Sequence, residues 1–236
     1  MIDPDAWASA HLRRANGFAW LALRLFCTGE GFVAFTRVYG YFRWADDVVD
    51  APDRDRARVA AFVDRQRAIV AGASPEEPPE RALALALAAS PWVRPAVERM
   101  WEALAFDAAR DATPLTSDEL AAQVARVGDA YLAALWACAG EAGDPPGGLA
   151  ALSRAATLAH VLRDVEVDRR LGYVNVTDAA ATASEAARLF AEGDRALATL
   201  PWGRARLLVG LLAWRYRRLL ARAVSPGPPP RSGTPP

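Results

Sequence analysis

The stretch from residue 35 to residue 50, FTRVYGYFRWADDVVD, constrains the fold of this chain more than any other. It is mostly apolar and aromatic, yet three of its last five residues are aspartates. In a helix with 3.6 residues per turn, four polar residues share one face at spacings of four, three and four: Tyr39, Arg43, Asp46 and Asp50. Carboxylates beside an apolar stripe are costly to bury unless something neutralises them. The stretch therefore predicts an internal helix whose acidic end meets a neutralising partner.

A second stretch, residues 157–170 with the sequence TLAHVLRDVEVDRR, repeats this pattern. Its His160, Asp164 and Asp168 share one helical face beside apolar residues. A single Asp-x-x-x-Asp pair is usually solvated surface, but chance explains two pairs beside apolar faces less easily. We expect the two pairs to face each other across one cavity. Because Mg²⁺ prefers oxygen ligands and commonly bridges carboxylates to substrate phosphates, the pattern favours a magnesium and phosphate site.

Composition excludes several classes of function. The 236 residues carry no net charge, which argues against a nucleic-acid-binding surface. All 28 basic residues are arginine, so a lysine nucleophile or Schiff base is excluded and phosphate recognition is left to arginine. Cys27 and Cys138 lie in apolar helical runs without metal-ligand spacing, which is typical of reduced core cysteines. We recognise no signal peptide and no apolar run of the ~20 residues that a membrane span needs, so we expect a cytoplasmic protein.

Helical periodicity runs along the chain, and no stretch shows the alternation of a strand. Two segments rich in proline or glycine, ASPEEPPE at 73–80 and the segment 140–148, predict loops. One predicted helix follows Gly29 and Gly31 and ends before Pro52. The others cover 5–28, 54–71, 80–89, 91–110, 117–139, 149–171, 183–198 and 202–223. Thr116 is the predicted cap of helix 117–139, and Gly172 ends helix 149–171. The prediction is all-α, with a single domain over 1–224 and a disordered proline-rich tail over 225–236.

Several motifs in the chain resemble one enzyme family. YGYFRWADDVVD, residues 39–50, resembles the first aspartate motif of the squalene/phytoene synthase family, the head-to-head branch of the trans-prenyl diphosphate synthases. HVLRDVEVDRRLG, residues 160–172, resembles the second motif, and AGEAG at 139–143 is similar to the break before it. Family counterparts also exist for Phe106, Asp107 and Tyr216. The resemblance extends to about residue 223.

The resemblance implies a helical bundle of the isoprenoid synthase type with a central apolar cavity. It implies an Mg²⁺-dependent prenyltransferase that condenses two molecules of farnesyl or geranylgeranyl diphosphate head-to-head to a squalene- or phytoene-type product. Two or three Mg²⁺ ions would be held by Asp46, Asp50, Asp164 and Asp168. The use of NADPH is left open, because the chain contains no glycine-rich dinucleotide fingerprint from which a reductant site can be read.

The candidate site residues fall into two groups. The catalytic candidates are the metal-ligand candidates Asp46, Asp50, Asp164 and Asp168, together with Arg43. The substrate-binding candidates are Phe18, Tyr39, Phe42, Thr157, His160 and Arg163. Arg43 shares the face of Asp46, which predicts contact with a diphosphate or a motif carboxylate, whereas Arg163 lies one residue off its face and predicts a structural salt bridge. His160 has four readings: a metal ligand, a diphosphate donor, a base that removes a proton, or a core histidine.

The chain departs from the family pattern at several contacts. The hydroxyl usual before the first motif is missing at Gly17. Thr157 and His160 stand where the family has glutamine and asparagine, and the arginine that commonly follows the second motif is absent near Tyr173. Two alternatives therefore stay open. One is a class I terpene cyclase or diphosphate lyase, since residues 46–50 also fit the DDxxD pattern, and the other is a non-catalytic family member.

The final predicted helix, 202–223, mixes leucine and tryptophan with arginine, which is typical of a helix that lies on a membrane surface. It is also typical of an amphipathic last helix that closes a bundle with its arginines in water, and the width of the apolar stripe favours this second reading. The expected partner is a prenyl diphosphate. No nucleic acid is expected, peripheral membrane contact is left open, and so is the oligomeric state.

Overall fold

The computed structural model describes residues 3–51, 55–110, 113–170 and 172–224, and every regular element in these ranges is helical. The all-α prediction is therefore confirmed. The helices are α1 Pro4–Ala15, α2 Gly17–Phe26, α3 Gly29–Val49, α4 Arg56–Val70, α5 Pro78–Ala89, α6 Arg94–Ala109, α7 Ser117–Cys138, α8 Ala150–Arg170, α9 Ala179–Thr199 and α10 Arg204–Val224, with short 3₁₀ turns at Pro91–Val93 and Gly147–Leu149. None of these helices is long and apolar enough to cross a membrane. Pro52 and the predicted tail, 225–236, lie outside the described residues.

The single helix predicted over residues 5–28 is wrong, because the chain breaks at Asn16. The Asn16 backbone leaves the helical region (φ −152°, ψ 76°), and its side-chain oxygen accepts a hydrogen bond from the Ala19 amide at 3.1 Å. That bond caps α2, as asparagine commonly does at helix starts. Because of the break, α1 packs on α3 and α5, while α2 also packs on α10.

The helix that carries the first acidic motif begins at Gly29, earlier than predicted. Thr28 caps it, since its hydroxyl accepts a hydrogen bond from the Gly31 amide at 2.9 Å. Gly31 lies inside the first turn of α3 rather than before the helix. The end of α7 passes very close to it. A Cβ at this position would lie 2.3 Å from the carbonyl oxygen of Cys138. Glycine is therefore required for the close approach of α3 to the end of α7.

The other helix starts differ from the prediction by a few residues at most. α5 begins at Pro78, inside the segment predicted as a loop, because proline is tolerated in a first helical turn and Glu77 and Glu80 form a capping box. α9 begins four residues early, where the Asp178 side chain caps it. The predicted cap of α7 at Thr116 is confirmed.

Buried apolar side chains form two clusters, and α3 contributes to both. The larger cluster lies mainly among α7, α8, α9 and α10, and it includes Phe35 of α3. The smaller cluster joins α3 to α4, α5 and α6, and it includes Tyr41 and Val49. α3 therefore runs along the boundary between the two clusters, and an apolar cavity lies at this boundary.

A buried polar network ties together the four helices of the smaller cluster. The Glu80 carboxylate has no exposed surface and accepts hydrogen bonds from Arg65, from Gln66 at 2.8 Å, and from two backbone amides in the turn before α5. The Tyr41 hydroxyl donates to Gln66 at 3.0 Å and accepts from the Trp101 indole at 3.1 Å. The network thus links α3, the helix of the first acidic motif, to α4, α5 and α6.

Candidate active site

An apolar cavity of about 320 Å³ lies between α3, α6 and α7, and α8 closes one side. Its wall is mostly aromatic and aliphatic, and its polar groups come from a few side chains at one side. The lining residues are Phe35, Val38, Tyr39, Phe42, Arg43, Asp46, Ala96, Met100, Ala103, Leu104, Asp107, Val127, Ala130, Tyr131, Ala134 and His160. A wall of this kind binds a hydrocarbon chain and excludes water from it.

The first acidic motif lies at the last turn of α3, where Asp46 lines the cavity and Asp50 caps the helix. The pKa of Asp46 is raised to about 7, mainly by burial and also by the charge of Asp50, while Arg43 opposes both effects. The side chain of Asp46 is still 42% exposed, so water screens part of this effect. A carboxylate with a raised pKa beside a second carboxylate is poised to bind a cation.

Asp107 of α6 is a third acid of this region that we did not select from the sequence as a site residue. It lines the same cavity as Asp46. Burial raises its pKa to about 6, and the charge of Asp50 contributes, although Arg110 and Gln123 oppose the shift. The sequence contained only a weak signal, the resemblance of Phe106 and Asp107 to family positions. Its place beside Asp46 and Asp50 depends on how α6 packs against α3.

The second acidic motif, on α8, is electrostatically coupled to the first. Burial raises the pKa of Asp168, and the charges of Asp164 and Asp50 raise it further, while a 2.7 Å hydrogen bond from Asn175 opposes them. The charge of Asp50 therefore raises the pKa of Asp46 and Asp107 on one side and the pKa of Asp168 on the other. We call these five residues, Asp46, Asp50, Asp107, Asp164 and Asp168, the acidic cluster.

Arg110 ties two members of the acidic cluster together. Its Nε donates to Asp107 at 3.1 Å, and its terminal nitrogen donates to the side-chain oxygen of Asn175, which in turn donates to Asp168. The guanidinium also lies over the ring of Tyr173, 4.7 Å from its centre. An arginine from α6 thus reaches the segment after the second motif, where the sequence itself lacks one.

A second cavity, of about 680 Å³, adjoins the first and is lined mainly by polar groups. It shares Tyr39, Arg43 and His160 with the apolar cavity. Five arginines face it, from α3, α8 and α10: Arg43, Arg163, Arg215, Arg218 and Arg222. Arg215, Arg218 and Arg222 are exposed, in agreement with the reading that places the α10 arginines in water, and they also line this cavity because α10 packs beside α8. Guanidinium groups in this number suit an anion with several oxygens, such as a diphosphate.

His160 lies where the two cavities meet. Its ring contacts Tyr216 with 4.9 Å between ring centres. The pKa of His160 is lowered to about 4, mainly by burial and also by the charge of the nearby Arg163, so the imidazole is neutral near pH 7. The hydroxyls of Tyr131 and Tyr216 hydrogen bond to each other beside it. A neutral imidazole in this position is able to accept a proton, while the four readings of His160 stay open.

The two predicted arginines contact the acidic motifs. Arg43 donates to Asp46 at 3.0 Å and to Asp47 at 2.6 Å along α3, and it faces both cavities. Arg163 donates to Asp164 from its Nε at 2.6 Å and from a second nitrogen, as predicted for a structural salt bridge, and it also lines the second cavity.

The other substrate-binding candidates are distributed unevenly. Tyr39 lines both cavities, Phe42 lines the apolar one, and Phe18 lines the second one beneath Arg215 at 4.8 Å. Thr157 is not brought to either cavity. Its hydroxyl donates to the Ser153 carbonyl of its own helix at 3.0 Å. Substrate contact by Thr157 therefore stays a prediction without geometric support.

The donor set of the acidic cluster fits Mg²⁺. All of its ligand atoms are carboxylate oxygens. The pKa values of Asp46, Asp107 and Asp168 are raised by burial and by neighbouring carboxylates, and a bound dication would offset the repulsion among these charges. Among the described residues no three His, Cys, Asp or Glu side chains are close enough to hold one metal ion. Mg²⁺ is usually bound by one or two carboxylates together with water and substrate phosphates, so such a protein cage is not required. The assignment of the four predicted aspartates as metal ligands stays a prediction.

Comparisons with known proteins agree with the fold and with both motifs. The family model described as squalene/phytoene synthase matches residues 21–176, which include both acidic motifs. A dehydrosqualene synthase crystallised with a ligand superposes with a TM-score of 0.70 at 19% identity, covering 91% of this chain and 84% of that one. Squalene synthase HpnC from Alicyclobacillus acidocaldarius superposes with a TM-score of 0.67 at 21% identity, covering 93% of this chain and 92% of that one. At these identities the likeness shows the fold, and it confirms the prediction of an isoprenoid synthase bundle. No curated protein sequence matches the chain.

Proposed function

The chain belongs to the squalene/phytoene synthase family, and on that premise we propose that it joins two allylic prenyl diphosphates head-to-head with Mg²⁺ as cofactor. The observation that carries the proposal is the coupling of Asp50 to Asp46 on one side and to Asp168 on the other, at the edge of an apolar cavity. Asp46 of the first motif thus lines a space suited to a prenyl chain, and Asp164 of the second motif lines the adjoining arginine-lined cavity. The proposed substrates are farnesyl or geranylgeranyl diphosphate.

The two cavities divide the proposed substrate between them. The apolar cavity takes the prenyl chain, and the arginine-lined cavity takes diphosphate oxygens through Arg43, Arg163 and the arginines of α10. Mg²⁺ bound at the acidic cluster would supply charge stabilisation to the departing diphosphate. The rings of Phe35, Tyr39 and Phe42 line the apolar cavity beside this position and attract an allylic cation through their faces.

The reaction breaks one C–O bond and forms carbon–carbon bonds between two molecules. The allylic C–O bond of the first substrate breaks, and the double bond of the second attacks the resulting cation. One diphosphate and one proton leave, and a cyclopropylcarbinyl diphosphate forms. The chain's contribution is to exclude water from the cation, which would otherwise be quenched to an alcohol.

Product analysis after incubation with farnesyl or geranylgeranyl diphosphate and Mg²⁺, with and without NADPH, tests the proposal. We expect a product with twice the carbon skeleton of the substrate. A cyclised or hydrolysed single-unit product would instead indicate a cyclase or diphosphate lyase. Unchanged substrate, from folded protein supplied with Mg²⁺, would indicate a non-catalytic family member.

Replacing Arg43 by lysine should lower turnover by roughly 10- to 100-fold. Lysine keeps the charge but cannot form the two-nitrogen contact of a guanidinium, and a hydrogen bond to a charged group contributes about 1.5–3 kcal/mol. Arg37 offers a matched control on the same helix, because it forms a two-nitrogen salt bridge to Asp5 of α1 and lines neither cavity. The steady-state rates of Arg43→Lys and Arg37→Lys are compared. Full turnover and unchanged KM in Arg43→Lys would rule out a diphosphate role for this arginine.

A further inference from the structure

The helices α2 and α10 form a surface that combines exposed apolar side chains with arginine. The exposed apolar residues of this surface are Leu21, Leu25, Trp202, Leu207 and Trp214, and Trp202 and Leu25 are 79% and 63% exposed. Leu21 and Leu25 are one helical turn apart on α2, and Leu207 and Trp214 are two turns apart on α10, so each helix presents a stripe. We call this surface the α2–α10 face. Large exposed apolar side chains grouped in this way on a protein surface indicate a binding site.

The two helices are in contact and share one side of the molecule. The ring of Phe18, at the start of α2, lies 6.4 Å from that of Trp214 in the middle of α10. The start of α2 also lines the second cavity with the C-terminal half of α10. Phe18, Leu21 and Leu25 follow helical spacings of three and four on α2, so the two leucines lie on the same side of α2 as the contact with Trp214.

The charge of the α2–α10 face is strongly positive. α2 and α10 contain seven arginines and no acidic residue, in a chain whose net charge is zero. The arginines are Arg24, Arg204, Arg206, Arg215, Arg217, Arg218 and Arg222. Among the described residues only one of them, Arg217, forms a salt bridge, with Asp194 of α9. Three of the others, Arg24, Arg204 and Arg206, line neither cavity, so their charge is available to an external anion.

Arginine and aromatic side chains are paired along the face. Arg206 lies over the ring of Trp202 at 4.3 Å, and Arg218 lies over that of Trp214 at 4.9 Å. These pairs place a cation beside an exposed indole, and tryptophan with arginine is the combination that favours the interface between lipid headgroups and acyl chains.

We propose that the α2–α10 face binds the surface of an anionic lipid bilayer. Leu21, Leu25 and the two tryptophans would enter the headgroup region, and Arg24, Arg204 and Arg206 would contact lipid phosphates and carboxylates. The arginine-lined cavity opens at this face, because Trp214, Arg215 and Arg218 belong to both. The proposal rests on exposure and charge, and its test is independent of the proposed reaction. Where that reaction holds, the face gives a prenyl substrate or product a direct path between bilayer and cavity.

A second copy of the chain is a less favourable occupant. A two-fold interface places the same surface on both subunits. The unpaired arginines of this face in one copy would then lie near the same arginines of the other, with no acidic residue on α2 or α10 between them, and like charges repel. A bilayer that contains anionic lipid offers the complementary charge instead.

Co-sedimentation with vesicles tests the proposal. The folded protein should bind phosphatidylcholine vesicles that contain phosphatidylserine, should bind pure phosphatidylcholine much less, and should be released as the salt concentration rises. The variant Arg24→Gln with Arg204→Gln should bind about 25-fold more weakly, at roughly fivefold for each arginine. The variant Leu21→Gln with Leu25→Gln should also bind at least tenfold more weakly, on the order expected for lost apolar insertion. These four residues line neither cavity, so turnover in detergent solution should be unchanged.

Matched controls come from elsewhere on the surface. Leu85→Gln with Trp92→Ala removes exposed apolar side chains from α5 and the turn after it, and Arg58→Gln with Arg67→Gln removes two arginines from α4. Both controls should bind vesicles nearly as well as the unchanged protein. Absence of binding to anionic vesicles at low salt, by monomeric protein with a native circular dichroism spectrum, would overturn the proposal. So would equal losses in the controls, or a dimer that dissociates on changing Leu21 and Leu25.

Discussion

Replacing Asp46 by asparagine should lower turnover on the order of 10³-fold. Asp46 lies at the junction of the apolar cavity with the acidic cluster, where the proposed cation would offset the charge of the leaving diphosphate. A metal ion contributes several kcal/mol of transition-state stabilisation in such reactions, and each 1.36 kcal/mol corresponds to a tenfold change in rate. Asp164→Asn, in the second motif, should have an effect of the same order. Both are measured as kcat at saturating Mg²⁺ and prenyl diphosphate.

Asp46→Asn should not lower thermal stability in the absence of metal. The pKa of Asp46 is raised in the folded protein, so its ionised form disfavours folding at pH values above about 7. Asparagine removes that charge while keeping a group that accepts a hydrogen bond from Arg43. The melting temperature of Asp46→Asn at pH 8 with a chelator should therefore equal or exceed that of the unchanged protein. A large fall would instead assign Asp46 to a structural ion pair with Arg43.

Asp47 provides the matched control for this experiment. It adjoins Asp46 in sequence and accepts a hydrogen bond from the same arginine at 2.6 Å, yet its side chain is exposed and lines neither cavity. Asp47→Asn should lower turnover by less than tenfold. If Asp46→Asn and Asp47→Asn had equal effects, the position of Asp46 at the cavity would not explain its role.

Replacing Glu80 by alanine should lower the free energy of unfolding by about 3–5 kcal/mol. The carboxylate is fully buried, and its removal leaves Arg65, Gln66 and two backbone amides without their acceptor. Each buried donor left without an acceptor costs about 1–3 kcal/mol, and this applies to Gln66 and the amides, whereas the 39% exposed Arg65 side chain is hydrated instead. Urea denaturation at pH 7 measures the change. Glu76→Ala is the control: Glu76 also pairs with Arg65, at 3.4 Å, but lies at the surface, where such a pair contributes ~0–1 kcal/mol.

Glu80 should also make stability depend on pH in the acidic range. Burial alone would raise the pKa of Glu80, but the hydrogen bonds from Arg65, Gln66 and the backbone lower it to about 2. Its contribution to stability is therefore complete above the unfolded-state pKa of about 4.3 and declines as the pH falls towards 2. The difference in stability between the unchanged protein and Glu80→Gln should be largest near pH 7 and shrink at pH 3. A difference that stays constant between these pH values would contradict the role of the charge.

The acidic motifs were readable from the sequence because their information is local. Helical spacing of four and three places Asp46 on one face with Arg43, and Asp164 on one face with Asp168, whatever the rest of the chain does. The capped start of α7 at Thr116 is local in the same way. The break at Asn16 was missed because asparagine is compatible with a helix interior as well as with a cap, and the apolar pattern continues across it.

What the sequence by itself determined is therefore the class of fold, the two acidic faces and the use of arginine in place of lysine. Only the tertiary structure decided which helices meet. It brought Asp107 and Arg110 from α6 to the acidic cluster, and Arg215, Arg218 and Arg222 from α10 to the second cavity. It also left Thr157, on the same helix as the second motif, outside both cavities. The physical reason is that helical periodicity fixes which residues share a face, whereas the choice of neighbour depends on close packing between helices far apart in the chain.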